Sequence, residues 1–312
     1  MSSHAATVRR TGVLGALIVL WRFSRPHTLI GTFVSATGLY LIAVSALPGS
    51  GLDQLFWVIV AGTGVNVAIV GINQLTDIEI DRINKPHLPL ASGELSPAAA
   101  WRIVAVAAAL PIVLALTQGR LETAAVVTAL VVGAAYSLPP VRLKRYPLAA
   151  ALCISGVRSA VVNLGMYGHF ALAFGGALTI PPSVWALTAF VLPFSFAIAV
   201  LKDVPDMEGD RRYRIATFTV RLGPRRAARL GLGALVLAYV GMIVLGPVLV
   251  DDAQPVVLAG SHVLVLVTLL TLARRADPAD PAAFTVFYMR VWALFFLEYA
   301  LVAAAVLTAS VF

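Results

Sequence analysis

Charge is scarce in this chain. Of its 312 residues 12% are charged and 60% hydrophobic, with a mean hydropathy of +0.90, which excludes an ordinary soluble domain. Cysteine is nearly absent: one residue, Cys153, lies in an apolar run and reads as an inert buried thiol. That excludes a disulfide framework and a cysteine-based metal centre. Five histidines show no paired ligand spacing, and His27 and His169 read as interfacial. Lysine is also rare, with three among 23 basic residues. What the chain has in abundance is long apolar runs.

A membrane-spanning helix needs about 20 mostly apolar residues. Runs of that kind predict an all-α, polytopic membrane protein with nine transmembrane helices, over 28–47, 55–73, 98–117, 121–138, 147–167, 182–200, 230–250, 256–273 and 284–311. Before them, Leu14 to Trp21 is apolar but short and closed by Arg22, so residues 1–27 read as an N-terminal arm with an interfacial helix, not a signal peptide, and 28–312 as the membrane domain. Twenty of the 23 basic residues fall in the arm (Arg9, Arg10, Arg22, Arg25) and the even-numbered loops. By the positive-inside rule these segments are cytoplasmic. The formal net charge of +8 therefore reports orientation, and nucleic acid is not an expected partner.

Seven of the fifteen acidic residues crowd into two stretches on that same side. One runs from Asn73 through Asp77 and Glu79 to Asp81; the other runs from Lys202 and Asp203 through Asp206 and Glu208 to Asp210. On a continuous helix Asn73, Asp77 and Asp81 share a face, as do Asp203, Asp206 and Asp210, with Glu79 and Glu208 pointing away. Two such faces at ~6 Å repel by roughly 3 kcal/mol per pair at an effective dielectric near 20. A cation is needed to compensate. All-oxygen ligands favour a hard ion, and carboxylates completed by phosphate oxygens and water describe Mg²⁺.

The three lysines, Lys85, Lys144 and Lys202, all sit beside these stretches, and lysine is a common phosphate-binding charge. Beyond Tyr136 a proline turn leads to Arg142, Lys144 and Arg145. Metal-binding carboxylates and phosphate-directed cations at a membrane suit a diphosphate carrying a lipid tail. Divalent ions would stabilise the leaving diphosphate as an allylic C–O bond ionises. The resulting cation needs aromatic faces and shelter from water, for which Tyr136, Tyr167 and Phe194 are candidates.

These residues resemble the UbiA-type membrane prenyltransferase superfamily, and specifically its homogentisate prenyltransferase branch. The likeness rests on Asn73-Gln-Leu-Thr-Asp77 through Asp81 and Lys85 to Glu94, and on Lys202-Asp203-Val-Pro-Asp206 through Asp210 to Gly223. It extends to Trp21-Arg22-Phe-Ser-Arg25-Pro-His27, to Asn163 through Tyr167 to His169, and to Phe296 through Tyr299. The resemblance implies a nine-helix bundle in which Asn73, Asp77, Asp81, Asp206 and Asp210 hold Mg²⁺ and prenyl diphosphate, with Asp203 in the same motif. It makes Arg142, Lys144 and Arg145 a diphosphate-side basic loop and puts Arg22 and Lys202 on the substrate side. The implied reaction joins the prenyl group to a small aromatic acceptor, with loss of CO₂ when that acceptor is homogentisate. A terpene cyclase of the same superfamily would act on the donor alone. A transporter would need a pair of broken helices, which this sequence lacks.

Arg158 and Glu298 lie inside expected spans, where a charge costs roughly 2.5 to 3.5 kcal/mol. Both are expected to face the bundle interior. Arg158 would either grip an acceptor carboxylate with its planar fork or serve as an internally paired or hydrogen-bonded structural arginine, and Asn163 would either orient a phenol or bond neighbouring helices together.

Overall fold

A chain surrounded by hydrocarbon must satisfy its backbone donors and acceptors internally, and apolar runs bounded by proline or glycine do so as helices. The computed structural model describes residues 12–309, which contain no strand; Arg9 and Arg10 of the basic arm lie outside the described residues. In order the helices are α1 Val13–Phe23, α2 Pro26–Ala46, α3 Leu52–Thr76, α4 Ile78–Asn84, α5 Pro97–Gln118, α6 Arg120–Ser137, α7 Pro147–Gly156, α8 Gly165–Ala173, α9 Pro182–Lys202, α10 Met207–Arg212, α11 Phe218–Leu222, α12 Pro224–Leu249, α13 Pro255–Ala273 and α14 Pro281–Ala309. Proline opens α2, α5, α7, α9, α12 and α13, where its missing N–H would have had no helical partner.

Among the described residues, eight stretches are long and apolar enough to cross a membrane. One of these, Pro147–Ala173, joins α7 to α8 through a π-helical segment, Val157–Leu164. The expected span at 121–138 is α6, whose 18 residues include Arg120 and Glu122 in the first turn and so fall outside those eight. It still packs into the bundle, against α3, α5 and α8.

The bundle closes around α2, α9 and α14, whose Phe190, Phe194, Trp292 and Tyr299 are buried. Glu298 faces inward as expected but does not meet Arg158. It pairs with His262 of α13 at 2.9 Å, and both side chains are fully buried. The two ends of the bundle differ. One carries the α3–α4 and α9–α10 junctions with the acidic stretches. The other is tied by His169 to Gln54 at 3.1 Å and by Ser183 to Asp252 at 2.5 Å.

The arm helix α1 leaves Val13, Leu14, Leu17, Ile18 and Trp21 exposed. It is anchored by Phe23, which is fully buried and whose carbonyl accepts from Gln74 Nε2 at 2.6 Å. A Cβ at Gly71 would approach the Phe23 ring to 2.8 Å, so glycine there admits the ring against α3. Phe23→Ala should cost about 3 kcal/mol of local packing and release α1. Limited proteolysis in detergent should then cut within α1 in the variant and not in the parent protein.

Candidate active site

Both acidic stretches are elbows instead of straight helix faces. α3 ends at Asp77, whose backbone (φ −122°, ψ 16°) leaves the helix, and α4 restarts one residue later. α9 ends at Lys202, the chain turns through Asp203 and Pro205, and α10 follows. The elbows are bound to each other, because Gly209 N donates to Asn84 Oδ1 at 2.9 Å. A Cβ on Gly209 would stand 2.5 Å from that oxygen, so the position demands glycine.

The contact brings Asp77, Asp81, Asp203, Asp206 and Asp210 around one polar pocket of about 60 Å³, together with Arg25, Asn73, Lys85, Lys144 and Lys202. Glu79 and Glu208 lie outside it, as the periodicity predicts. Asp77 receives Lys144 Nζ at 2.6 Å and Asn73 Nδ2 at 3.0 Å, with Arg142 Nη2 at 3.6 Å. Lys144 also donates to Thr76 Oγ1 at 2.8 Å. Lys85 pairs with Asp206, Lys202 stands 3.6 Å from Asp203, and Arg25 stands 3.7 Å from Asp81.

Carboxylates outnumber cations in this pocket, five to four. Burial, reinforced by Asp203 and Asp206, pushes the Asp210 carboxyl up to about 8. Burial raises Asp203 to about 6 against the pull of Lys202, and it raises Asp81 as well. Lys144 is lowered by burial, with Asp77 opposing. A carboxyl raised in this way holds a proton until further positive charge arrives, so the side chains of the pocket do not by themselves keep all five carboxylates ionised.

Its donors suit a hard cation. They are all oxygen, and Asp81 Oδ2 is buried without a hydrogen bond. As the side chains stand, no three His, Cys, Asp or Glu residues among those described converge on one point, because the carboxylates lean on lysine and arginine instead.

The polar pocket opens into an apolar cavity of about 280 Å³, and Arg25, Asn73, Tyr136 and Lys202 border both. Lys202 Nζ sits 6.0 Å from the Tyr136 ring centroid and 3.4 Å from its hydroxyl. Deeper in, Arg158 lies 4.5 Å over the Trp292 ring, with Nη1 buried and unpaired and no carboxylate within ion-pair distance among the described residues. Tyr288, Trp292, Phe295 and Tyr299 of α14 line the same region.

Several expected placements need correction. Arg22 does not reach the pocket: it binds Glu94 at 2.6 Å and the His87 carbonyl, clamping α1 to the loop after α4. Arg25, one turn on, takes the facing position. Arg145 turns outward onto Tyr146 and the Pro140 carbonyl, because neighbours in the short 3₁₀ turn Leu143–Arg145 cannot both face inward. Asn163 is fully buried and does not line the cavity; its Oδ1 accepts from Tyr299 Oη at 2.8 Å. Tyr167 and Phe194 belong to the packed core, whereas His27 and Cys153 border the cavity.

Arg25 and Arg142 have positive φ, at 52° and 39°, a conformation that costs about 1 kcal/mol or more and persists where surrounding contacts impose it. Pro26 keeps Arg25 out of the right-handed helical region, so α1 and α2 do not run on as one helix.

Comparison with known proteins shows the family and the fold. Residues 13–297 match the UbiA prenyltransferase family. The chain belongs to that family. It is 41% identical over 293 residues to the homogentisate phytyltransferase of Synechocystis sp., covering 92% of this chain and 95% of that protein. It is 39% identical over 297 residues to a probable homogentisate phytyltransferase 1, chloroplastic, of Oryza sativa subsp. japonica, covering 93% and 74%. The fold is also that of a UbiA homolog from Archaeoglobus fulgidus in a structure bound to DMAPP and Mg²⁺, with TM-score 0.62, 20% identity, and coverage of 91% and 99%.

For a UbiA-family chain whose two elbows are joined by the Gly209–Asn84 hydrogen bond and the Lys85–Asp206 pair, the backbone contact at Gly209 should bear on the rate. Gly209→Ala should displace Asn84 and lower prenyl transfer by about tenfold. Circular dichroism should report unchanged helix content, and an unchanged rate would show that another contact holds the elbows.

Proposed function

We propose that the protein transfers a prenyl group from a prenyl diphosphate to homogentisate, and that the reaction occurs at the junction of the polar pocket and the apolar cavity. One observation carries the reading: a carboxylate and lysine cluster opens into an apolar chamber that contains a buried arginine without a counter-ion. The 41% identical relative, a homogentisate phytyltransferase, supports the choice of acceptor.

In this reading Asn73, Asp77, Asp81, Asp206 and Asp210, with Asp203 beside them, would hold Mg²⁺. When bound, Mg²⁺ would neutralise the charge growing on the departing diphosphate. Lys85, Lys144, Lys202 and Arg25 would exchange carboxylate partners for phosphate oxygens. The prenyl tail would lie along the apolar walls, which exclude water while the allylic C–O bond breaks and its electron pair leaves with the diphosphate. Tyr136, at the boundary, presents its ring face to the developing cation.

The acceptor would sit against α14. Arg158, stacked on Trp292, would take its carboxylate, and Tyr299, held by Asn163, would fix one face of the ring. The aromatic carbon would then form the new C–C bond and the ring would regain aromaticity by giving its proton to the departing diphosphate or water, while in the homogentisate reaction the side-chain carbon that loses CO₂ would take up a proton and become a methyl group. The distribution of Lys and Arg supports a cytoplasmic orientation for this end of the bundle.

Two tests separate the donor and acceptor halves. Asp77→Ala or Asp206→Ala should lower diphosphate release by at least about 10²-fold in a protein that still inserts into the membrane. Retained turnover would remove the metal assignment. Arg158→Met should raise the KM for homogentisate about thirtyfold or more, with the KM for the prenyl diphosphate nearly unchanged. An equal effect on both substrates would place Arg158 elsewhere in the mechanism.

A further inference from the structure

The α6 wall of the cavity is one helical stripe. Ala125, Val126, Ala129, Val132 and Gly133 line it, with Tyr136 at the end shared with the polar pocket and Glu122 at the other. From position 122 to 136 is fourteen residues, about 21 Å of helix. Everything on the stripe between its ends is apolar. Glu122 is 5% exposed, borders the cavity, and has neither a hydrogen bond nor an ion pair among the described residues.

A carboxyl in that position breaks the pattern that the rest of the wall obeys, and no protein partner compensates it. Water entering the cavity would be its partner there. A hydrocarbon tail that reaches Glu122 must strip that water and leave the carboxyl facing methyl groups, a loss worth an order of magnitude or more in an equilibrium constant. A tail that stops short leaves the water in place.

We propose that Glu122 marks the far end of the prenyl channel and selects donors of about four isoprene units. The count follows from length. An extended isoprene unit adds about 5 Å from ordinary bond lengths, so about 21 Å of wall accommodates four. This assignment rests on the prenyl-transfer reading above and adds to it the size class of the donor.

The experiment compares kcat/KM for donors of two, three, four, six and nine isoprene units at saturating homogentisate, in purified protein with Mg²⁺. The parent protein should lose at least tenfold between four and six units. In Glu122→Leu the ratio of six-unit to four-unit kcat/KM should rise about tenfold, whereas Glu122→Gln, still polar and hydrated, should keep the parent ratio. Ala129→Phe, about halfway along the stripe, should move the break to two or three units. A length profile unchanged by Glu122→Leu, or one that shifts alike for every donor, overturns the assignment while leaving prenyl transfer intact. No product from any donor in the parent protein overturns both.

Discussion

Five carboxylates around one small pocket repel each other, and much of the molecule is arranged around that repulsion. At about 6 Å each pair opposes the fold by roughly 3 kcal/mol at an effective dielectric near 20. The chain contains three lysines, and all three border this pocket. Lys85 and Lys202 answer Asp206 and Asp203, and Lys144 answers Asp77. The compensation is incomplete, as the raised Asp210 and Asp203 carboxyls indicate. In the proposed function such a site would take external cations to keep its carboxylates ionised, and its lysines would pass from carboxylate partners to an anion.

The same constraint explains the elbows. On an unbroken α3 the Asp77 and Asp81 carboxylates would project from successive turns, away from the second stretch. The break at Asp77 instead lays α4 across the bundle end toward α10, where Asn84 caps Gly209. The missing Cβ at Gly209 sets how close the two elbows come. Aspartate at a helix end costs little, since its short side chain competes for backbone donors anyway.

Residue types carried the chemistry in the sequence; backbone departures carried the placements that the sequence did not predict. Carboxylate and lysine positions near helix ends were legible because periodicity and charge sorting depend on local sequence. Arg22 and Arg25 could not be ranked that way, since the left-handed turn before Pro26 decides which arginine faces the pocket. Asn163 was misplaced for a related reason. The segment Val157–Leu164 is π-helical, and its i→i+5 register rotates side chains away from where a 3.6-residue period puts them. Arg158 remains on the cavity side, while Asn163 turns into the core and acts on Tyr299. The residues of α14 that face the cavity, Tyr288, Trp292 and Phe295, belong to an almost uniformly apolar helix whose facing side only the packed bundle selects.

The division between polar pocket and apolar cavity also determines where ionisation can occur. A diphosphate is stabilised where carboxylate-bound cations and lysines gather, and an allylic cation survives where water is absent. Arg25, Asn73, Tyr136 and Lys202 border both compartments, so in the proposed reaction the breaking bond would lie among them. Arg158 reinforces this division. Its uncompensated charge opposes a cation formed close to it, yet attracts a carboxylate. An acceptor whose carboxylate binds Arg158 has its ring turned toward the boundary, where the electrophile forms. In the proposed reaction the arginine would orient the acceptor and keep the cation at the diphosphate end, and both effects would follow from the absence of a counter-ion among the described residues.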